Sequence, residues 1–369
     1  MTKTSMVGPT GATLPALDLD AFLARLDDVA EVNGAARETT PLPMFDVRTP
    51  AEFAKGHIPG ARNLPLFSDD ERIQVGTLYK QKGRHAAIRD GLDIVGPKMG
   101  WLVDEVQSVV GHPEKAGPVF VHCWRGGMRS ASVGWLLQLA GFDVVTLRGG
   151  YKRWRQGVRE VLAAKRRVHI VSGRTGAGKT DLLHALRRHG AQTLDLEALA
   201  QHRGSAFGAL GMAPQPSVEH YENLLAEEVR HLDGQQPVWV EDESRMVGKC
   251  KIPDELWQQM RAAPSWALQA SLSTRVTRLV RDYGDVDKAA LAAAFAGIRK
   301  KLGGQHVNRA LALLDEGDLH HAAEVALVYY DKTYDRGMAR RQHQDAAVHN
   351  VDANGDVDAL AQALIRTWN

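Results

Sequence analysis

The sequence predicts an α/β protein of two successive parallel-sheet domains followed by a mainly helical C-terminal region. Two apolar runs, Val119 to Val121 and Val168 to Val171, each lead into a glycine-rich turn and then a segment with helical periodicity. Strand, turn and helix in that order is the unit from which parallel sheets are assembled. A length of 369 residues accommodates two or three domains with sizeable cores. The boundaries read as 15–160 for the first domain, with an insertion at about 66–117, then 161–285 for the second domain and 286–369 for the helical region.

Composition narrows the class. Apolar residues make up 44% of the chain and charged ones 24%, ordinary values for a globular protein. Met1 to Leu19 lacks the basic start and continuous apolar core of a signal peptide, and no apolar run reaches about 18 residues. The expectation is a cytoplasmic protein with no membrane partner. Two distant cysteines, Cys123 and Cys250, provide neither a disulfide framework nor zinc spacing. The net charge is +2, yet Arg148 to Arg167 holds eight Lys or Arg residues against a single acid, Glu160. Such a strip reads either as a contact for a phosphate-rich partner or as a solvated helix face between domains.

In the first domain, Leu17 to Val29 forms an amphipathic segment, and Met44 to Arg48 reads as a strand ending in a turn. Glu52-Phe53 and Gly56-His57-Ile58-Pro59-Gly60-Ala61 supply turn and cap residues, with His57 most simply a hydrogen-bonded structural histidine. The insertion reads either as a functional element or as a structural cover. Phe120 to Ser130 then places Cys123 between a strand and a helix, ahead of Arg125, Gly126, Gly127 and Arg129. Backbone N–H groups, the helix dipole and guanidinium groups there would all favour a thiolate and a bound anion. A buried, inert cysteine is the alternative. Cys123 and Arg129 also span the cysteine, five residues and arginine of cysteine phosphatases, which keeps a hydrolytic rival open.

The second domain opens with Gly173-Arg174-Thr175-Gly176-Ala177-Gly178-Lys179-Thr180 after its first strand. This is the Walker A pattern in its strand-turn-helix setting. Backbone N–H groups freed by Gly173, Gly176 and Gly178, together with Thr175, would wrap a di- or triphosphate; Lys179 would neutralise a terminal phosphate, and Thr180 admits a magnesium ion. Further strands end at Asp195 and at Glu241-Asp242-Glu243. Asp195 and Glu241 read as metal- or hydroxyl-orienting carboxylates or as helix caps. Arg275, Arg278 and Arg281 follow a strand near Ala267 to Leu272, at a spacing of three, and suit either an anion-gripping lid or a solvated helix. Beyond a break at Lys301 to Gly304, Tyr329, Tyr330 and Tyr334 near Lys332 suit base stacking or a packed core equally.

Together with the cysteine loop, Asp46-Val47-Arg48, the Gly56 to Ala61 segment, and Leu147-Arg148-Gly149-Gly150-Tyr151 with Trp154 resemble the rhodanese domain over roughly residues 15–160. Many sulfur-transferring rhodaneses place the arginine one residue closer to the cysteine. The wider ring here suits a tetrahedral oxyanion such as phosphate or selenophosphate. A rhodanese-like domain joined to a P-loop NTPase-like domain, with Asp195-Leu-Glu, His202-Arg-Gly-Ser-Ala-Phe-Gly208, Glu243-Ser-Arg245 and Tyr329 to Tyr334, resembles the tRNA 2-selenouridine synthase family.

That resemblance implies action on wobble 2-thiouridine in the anticodon loops of tRNAs for Lys, Glu and Gln. It implies geranylation from geranyl diphosphate, then replacement of geranylthiol by selenium from selenophosphate. Under it Cys123 is the selenium-handling nucleophile, Arg125, Gly126, Gly127 and Arg129 bind the oxyanion, and Lys152, Arg153, Arg155, Arg159, Arg166 and Arg167 contact tRNA. No tightly bound cofactor is expected, magnesium is admissible, and an enzyme that produces selenophosphate is a candidate partner. The rivals are a persulfide or thiosulfate sulfurtransferase fused to a kinase-like P-loop domain, and a cysteine phosphatase.

Overall fold

Valine- and isoleucine-rich strands with almost no alternation, such as Val119-Phe120-Val121 and Val168-His169-Ile170-Val171, arise where helices cover both faces of a parallel sheet. The computed structural model describes residues 14–32, 42–342 and 347–368. It divides the chain into two compact units, Met1–Glu160 and Val161–Asn369. Residues 1–13, most of the Met1–Leu19 stretch considered above, lie outside the described residues.

The first unit runs β1 (Ala16–Leu17), α1 (Leu19–Val32), β2 (Met44–Asp46), α2 (Pro50–Lys55), β3 (Arg62–Asn63), α3 (Asp69–Val95), α4 (Met99–Val110), β4 (Val119–His122), α5 (Met128–Leu139), β5 (Val144–Leu147) and α6 (Gly150–Ala163), the last of which continues past the unit boundary. Its five strands are all parallel, in the order β1-β5-β4-β2-β3. Pairing of Asp46 with His122 and of Val121 with Thr146 brings the carboxyl ends of β2, β4 and β5 to one edge. Ligands collect at such an edge in open α/β sheets. The insertion is helical: Ser68 and Glu71 form a capping box at the start of α3. Leu66, Phe67, Leu102 and Val106 join Phe45, Val121 and Leu137 in one core cluster, so the insertion covers the sheet.

The second unit runs β6 (Val168–Gly173), α7 (Lys179–Arg188), β7 (Gln192–Leu194), α8 (Leu196–Ala200), α9 (Val218–Arg230), β8 (Val238–Glu241), the short hairpin β9 (Met246–Val247) and β10 (Cys250–Lys251), α10 (Asp254–Ala262), β11 (Ser265–Gln269) and α11 (Leu272–Tyr283). It continues with α12 (Lys288–Gly297), α13 (Arg299–Leu302), α14 (Gly304–Glu316), α15 (Leu319–Gln342), β12 (Val348–Asp352) and α16 (Val357–Trp368). The sheet order is β12-β11-β6-β8-β7, again all parallel. Central β6 delivers the Walker A loop, and its neighbour β8 delivers Glu241.

The mainly helical region over 286–369 therefore contains an element that the sequence pattern does not announce. β12 pairs with β11 along its whole length, and α16 returns Ala361 and Leu364 to the cluster formed by Leu182, Leu186 and Trp266. An edge strand with only Val348 and Val351 as apolar residues produces no apolar run. The sheet of the second unit is thus completed by β12, which follows the helices α12 to α15 in the chain. Among the described residues no helix is long and apolar enough to cross a membrane.

Leu364→Ala should destabilise the second unit by roughly 2–5 kcal/mol, because it empties a buried position between α16 and α7. Urea unfolding followed by tryptophan fluorescence checks this, since Trp239 and Trp266 belong to the same cluster. An unchanged midpoint would mean that α16 is not part of that unit's cooperative core.

Candidate active sites

Cys123 lies one residue beyond β4, on the floor of a turn that the start of α6 clasps from outside. The Tyr151 and Lys152 amides donate to the carbonyls of Cys123 and Trp124, at 2.8 and 2.9 Å. This approach requires glycine at position 150: its φ is +57°, and a Cβ there would lie 2.2 Å from the Cys123 carbonyl oxygen. The thiol is 3% exposed, with Sγ accepting from the Gly127 amide at 3.4 Å and lying 3.2 Å from Ser130 Oγ. Trp124, Arg125, Gly126 and Gly127 are exposed around it.

The predicted oxyanion ligands separate at this point. Arg125 is open to solvent, whereas Arg129 is paired with Glu52 at 2.6 and 3.3 Å. Burial opposes the Arg129 charge, but the Glu52 carboxylate more than compensates and holds its pKa above the ordinary value. Glu52 also closes a capping box with Thr49 at the start of α2, so the cap fixes the arginine's partner. Arg48 binds Asp46 at 2.6 Å and the Gly56 carbonyl at 2.7 Å, and its guanidinium stacks 3.8 Å over the Tyr151 ring. Three sequence segments that frame the cysteine are thereby tied together beneath it. His57 proves structural, with Nδ1 3.0 Å from the Phe53 carbonyl and its ring stacked on Phe53 at 3.8 Å.

In the second unit Lys179 and Thr180 open α7 directly after the loop. Lys179 Nζ donates to the Gly173 carbonyl at 3.4 Å, and Thr180 Oγ1 donates to Glu241 at 3.3 Å. Glu197, Glu241 and Glu243 each bring a carboxylate oxygen to within 4.8 Å of the others. Gly204 (φ +62°) lets the following loop close over them, since a Cβ there would lie 2.3 Å from Glu243 and 2.7 Å from Glu197. Burial alone would lower the Lys179 pKa, yet Glu243, Glu197, Glu241 and Asp242 together hold it above the ordinary lysine value. Burial raises all three glutamates, and their mutual repulsion adds to it; Lys179 offsets part of the rise. Three hard oxygen donors beside the Thr180 hydroxyl fit a divalent cation.

Asp195, read as an orienting carboxylate or a cap, caps α8 by accepting from the Ala198 amide at 2.8 Å, lies 3.0 Å from His184 Nε2, and also shares a side-chain hydrogen bond with Glu241. Two of the three α11 arginines, Arg275 and Arg278, brace the loop, whereas Arg281 is exposed and pairs with acids outside it. Arg275 is 3% exposed, donates to the Thr175 carbonyl at 2.8 Å and pairs with Asp331. Arg278 donates to the Ala177 carbonyl at 2.7 Å, and Arg281 reaches Asp181 at 3.1 Å. Of the basic strip, Lys152, Arg159 and Arg167 are exposed, and Arg153 pairs with Glu160 at 3.2 Å. Arg155 is half-buried, while Arg166 donates to the nearby carbonyls of Val161 and Ala164. Cys250 is buried near Gln215 and the Pro216 carbonyl, and burial pushes its thiol up, as in an inert core cysteine.

Residues 28–157 match the family model described as a rhodanese-like domain, and residues 166–364 match the one described as the tRNA 2-selenouridine synthase AAA domain. The second model spans more than half of the chain. The chain belongs to the tRNA 2-selenouridine synthase family. A relative of that name from Cupriavidus necator is 37% identical over 86% of this chain and 93% of its own length. Another from Pseudomonas putida is 38% identical over 79% and 87%, and one from Hydrogenovibrio crunogenus 34% identical over 88% and 95%.

Within this family member, Glu197 and Glu243 are the site residues to which the sequence assigned no role. Both lay in recognised segments, Asp195-Leu-Glu and Glu243-Ser-Arg245. Only the fold shows that they converge on Lys179.

Buried acids make stability depend on pH. Glu243 rises from its ordinary 4.5 to about 7, through burial first and the Glu241 charge second. The folded protein therefore keeps a proton that the unfolded chain releases, and stability falls as pH rises through that window. Thermal unfolding in a chelating buffer should show a Tm that declines from about pH 5 to about pH 8. Glu243→Gln should flatten the decline; an equal slope in the variant would separate Glu243 from it.

Proposed function

We propose that this chain converts wobble 2-thiouridine in tRNA to 2-selenouridine in two steps, one for each unit. Formation of selenouridine in tRNA follows from family membership. The division of labour rests on one observation: an intact Walker A loop with its lysine in place and a separate cysteine held at a helix N-terminus occur in one chain.

In the first step the sulfur of 2-thiouridine attacks the prenyl carbon of geranyl diphosphate. The C–O bond breaks, and diphosphate leaves with the electron pair. Amides of the Gly173–Thr180 loop and the Lys179 ammonium bind that leaving group. A magnesium ion bound by Thr180, Glu241, Glu243 and Glu197 would add charge neutralisation there. Alkylation turns a poor sulfide leaving group into a thiol. In the second step the selenium of selenophosphate attacks the ring carbon that bears the S-geranyl group, the C–S bond breaks and geranylthiol leaves with a proton, and water then cleaves the Se–P bond to release phosphate. Cys123 handles the selenium donor; exposed Arg125 and the Gly126 and Gly127 amides hold its oxyanion, and Arg129 contributes its charge from beside the thiol.

Exposed Lys152, Arg159 and Arg167 provide phosphate contacts for the tRNAs for Lys, Glu and Gln. An enzyme that makes selenophosphate is the natural supplier of the second step. The phosphatase alternative is weaker, because Glu52 already occupies the Arg129 guanidinium.

Two measurements test the assignment. Nucleoside mass spectrometry of thiolated tRNA should show that Cys123→Ser stops at the geranylated base, whereas Lys179→Ala leaves the thiouridine unmodified. Selenouridine at the normal rate in Cys123→Ser would remove the nucleophile's role, and normal geranylation in Lys179→Ala would remove the loop's. Affinity for tRNA should also fall linearly on a log–log plot against salt, with a shallower slope in a Lys152→Ala/Arg159→Ala double variant. Salt-independent binding would exclude these phosphate contacts.

A further inference from the structure

The second unit contains an apolar pocket that the Walker A chemistry does not use. It lies between the loop after α8 and the helices α11, α12, α14 and α15 and opens to solvent, with about 570 Å³ of empty space when the open solvent at its mouth is counted. Phe207, Leu279, Phe295, Leu314 and Ala326 form its walls. One face of α15 supplies Leu319, the adjacent Ala322 and Ala323, Ala326 and Tyr330, in successive turns of the helix. The alanines leave the room that larger side chains on that face would fill.

The position of this pocket suggests its ligand. Thr175, Ser205, Leu279, Tyr283 and Tyr330 line both it and the cleft over Lys179 and Thr180. A molecule with its diphosphate in the loop can therefore run its other end across Thr175 into the apolar space. Ribose and base would be poor occupants, because their polar groups would lose water and meet few partners among these walls. A hydrocarbon chain pays no such penalty and gains from leaving water.

We infer that this pocket seats the chain of a prenyl diphosphate, and that Ala322, Ala323 and Ala326 on α15 set the chain length accepted. The inference rests on the prenyl-diphosphate reading of the Walker A loop given above, and it adds the residues that select the donor. Phe207 belongs to the same loop as Gly204, so one segment covers the carboxylates and walls the pocket. It packs on Phe295 with ring centroids 4.9 Å apart.

Calorimetric titration of the full chain with geranyl diphosphate, dimethylallyl diphosphate and inorganic diphosphate tests it. Ala326→Phe should weaken geranyl diphosphate binding by about tenfold or more, the scale on which pocket size discriminates hydrocarbon groups. Inorganic and dimethylallyl diphosphate should bind as in the parent. Unchanged geranyl diphosphate affinity in a variant that still binds inorganic diphosphate would overturn the pocket while leaving the loop's role intact. Lys179→Ala separates the two ideas, since geranyl diphosphate binding that survives it, or is absent from the parent protein, would overturn the loop reading and the pocket with it. Should Ala326→Phe lose inorganic diphosphate as well, its fold is damaged, and Ala323→Phe at a half-buried position decides by the same criteria.

Discussion

Lys179 is half-buried, and what keeps it charged there is a ring of carboxylates. An ammonium removed from water without compensation would give up its proton. Glu197, Glu241, Glu243 and Asp242 instead hold it charged, and it in turn reduces the repulsion among them. Much of the second unit is arranged to permit this exchange. β6 and β8 lie side by side so that their carboxyl ends present lysine and glutamate together, and Gly204 brings a loop down over the acids. Behind the phosphate loop, α11 spends Arg275 and Arg278 on its carbonyls. Those arginines stiffen the loop while leaving its amides to face a ligand.

The first unit solves a related problem with the opposite polarity. At the centre of its loop is the Cys123 sulfur, ahead of the N-terminal end of α5, and the nearby charges are cations under restraint. Arg48 is locked beneath the loop by Asp46, Gly56 and Tyr151, whereas Arg129 is held from the side by Glu52. Glu52 has two duties, capping α2 and pairing Arg129, so a change at this helix end would also alter the field at the thiol. In both units a glycine with positive φ permits a close approach, Gly150 to the backbone of the cysteine loop and Gly204 to the carboxylates of Glu243 and Glu197.

Several structural roles could be read only after the chain was folded. Three arginines spaced by three looked equally like a lid and a solvated face, because spacing records the helix and not what it packs against. Arg275 is in fact among the buried residues, paired to Asp331 fifty-six positions away. The tyrosines of α15 were equally ambiguous. Tyr330 accepts from the Ala206 amide at 3.1 Å and lines the apolar pocket, a position set by the fold of α15 against the loop after α8. β12 went unseen because an edge strand needs only one buried face and little apolar sequence.

What the sequence determined by itself was local chemistry: the cysteine turn, the Walker A loop, and the strands and helices that each requires. Those features are written in consecutive residues, since a turn, a cap or a phosphate cradle depends on backbone conformation over fewer than ten positions. The rhodanese-like and P-loop arrangement, and the family itself, were legible for that reason. Tertiary structure decided which charges meet. It set Glu197 and Glu243 against Lys179, gave Arg129 to Glu52, made Asp195 a cap that also bonds Glu241, and gathered four helices and a loop around an apolar space. Such pairings join residues tens of positions apart, and only the packing of the sheets and helices brings them within reach.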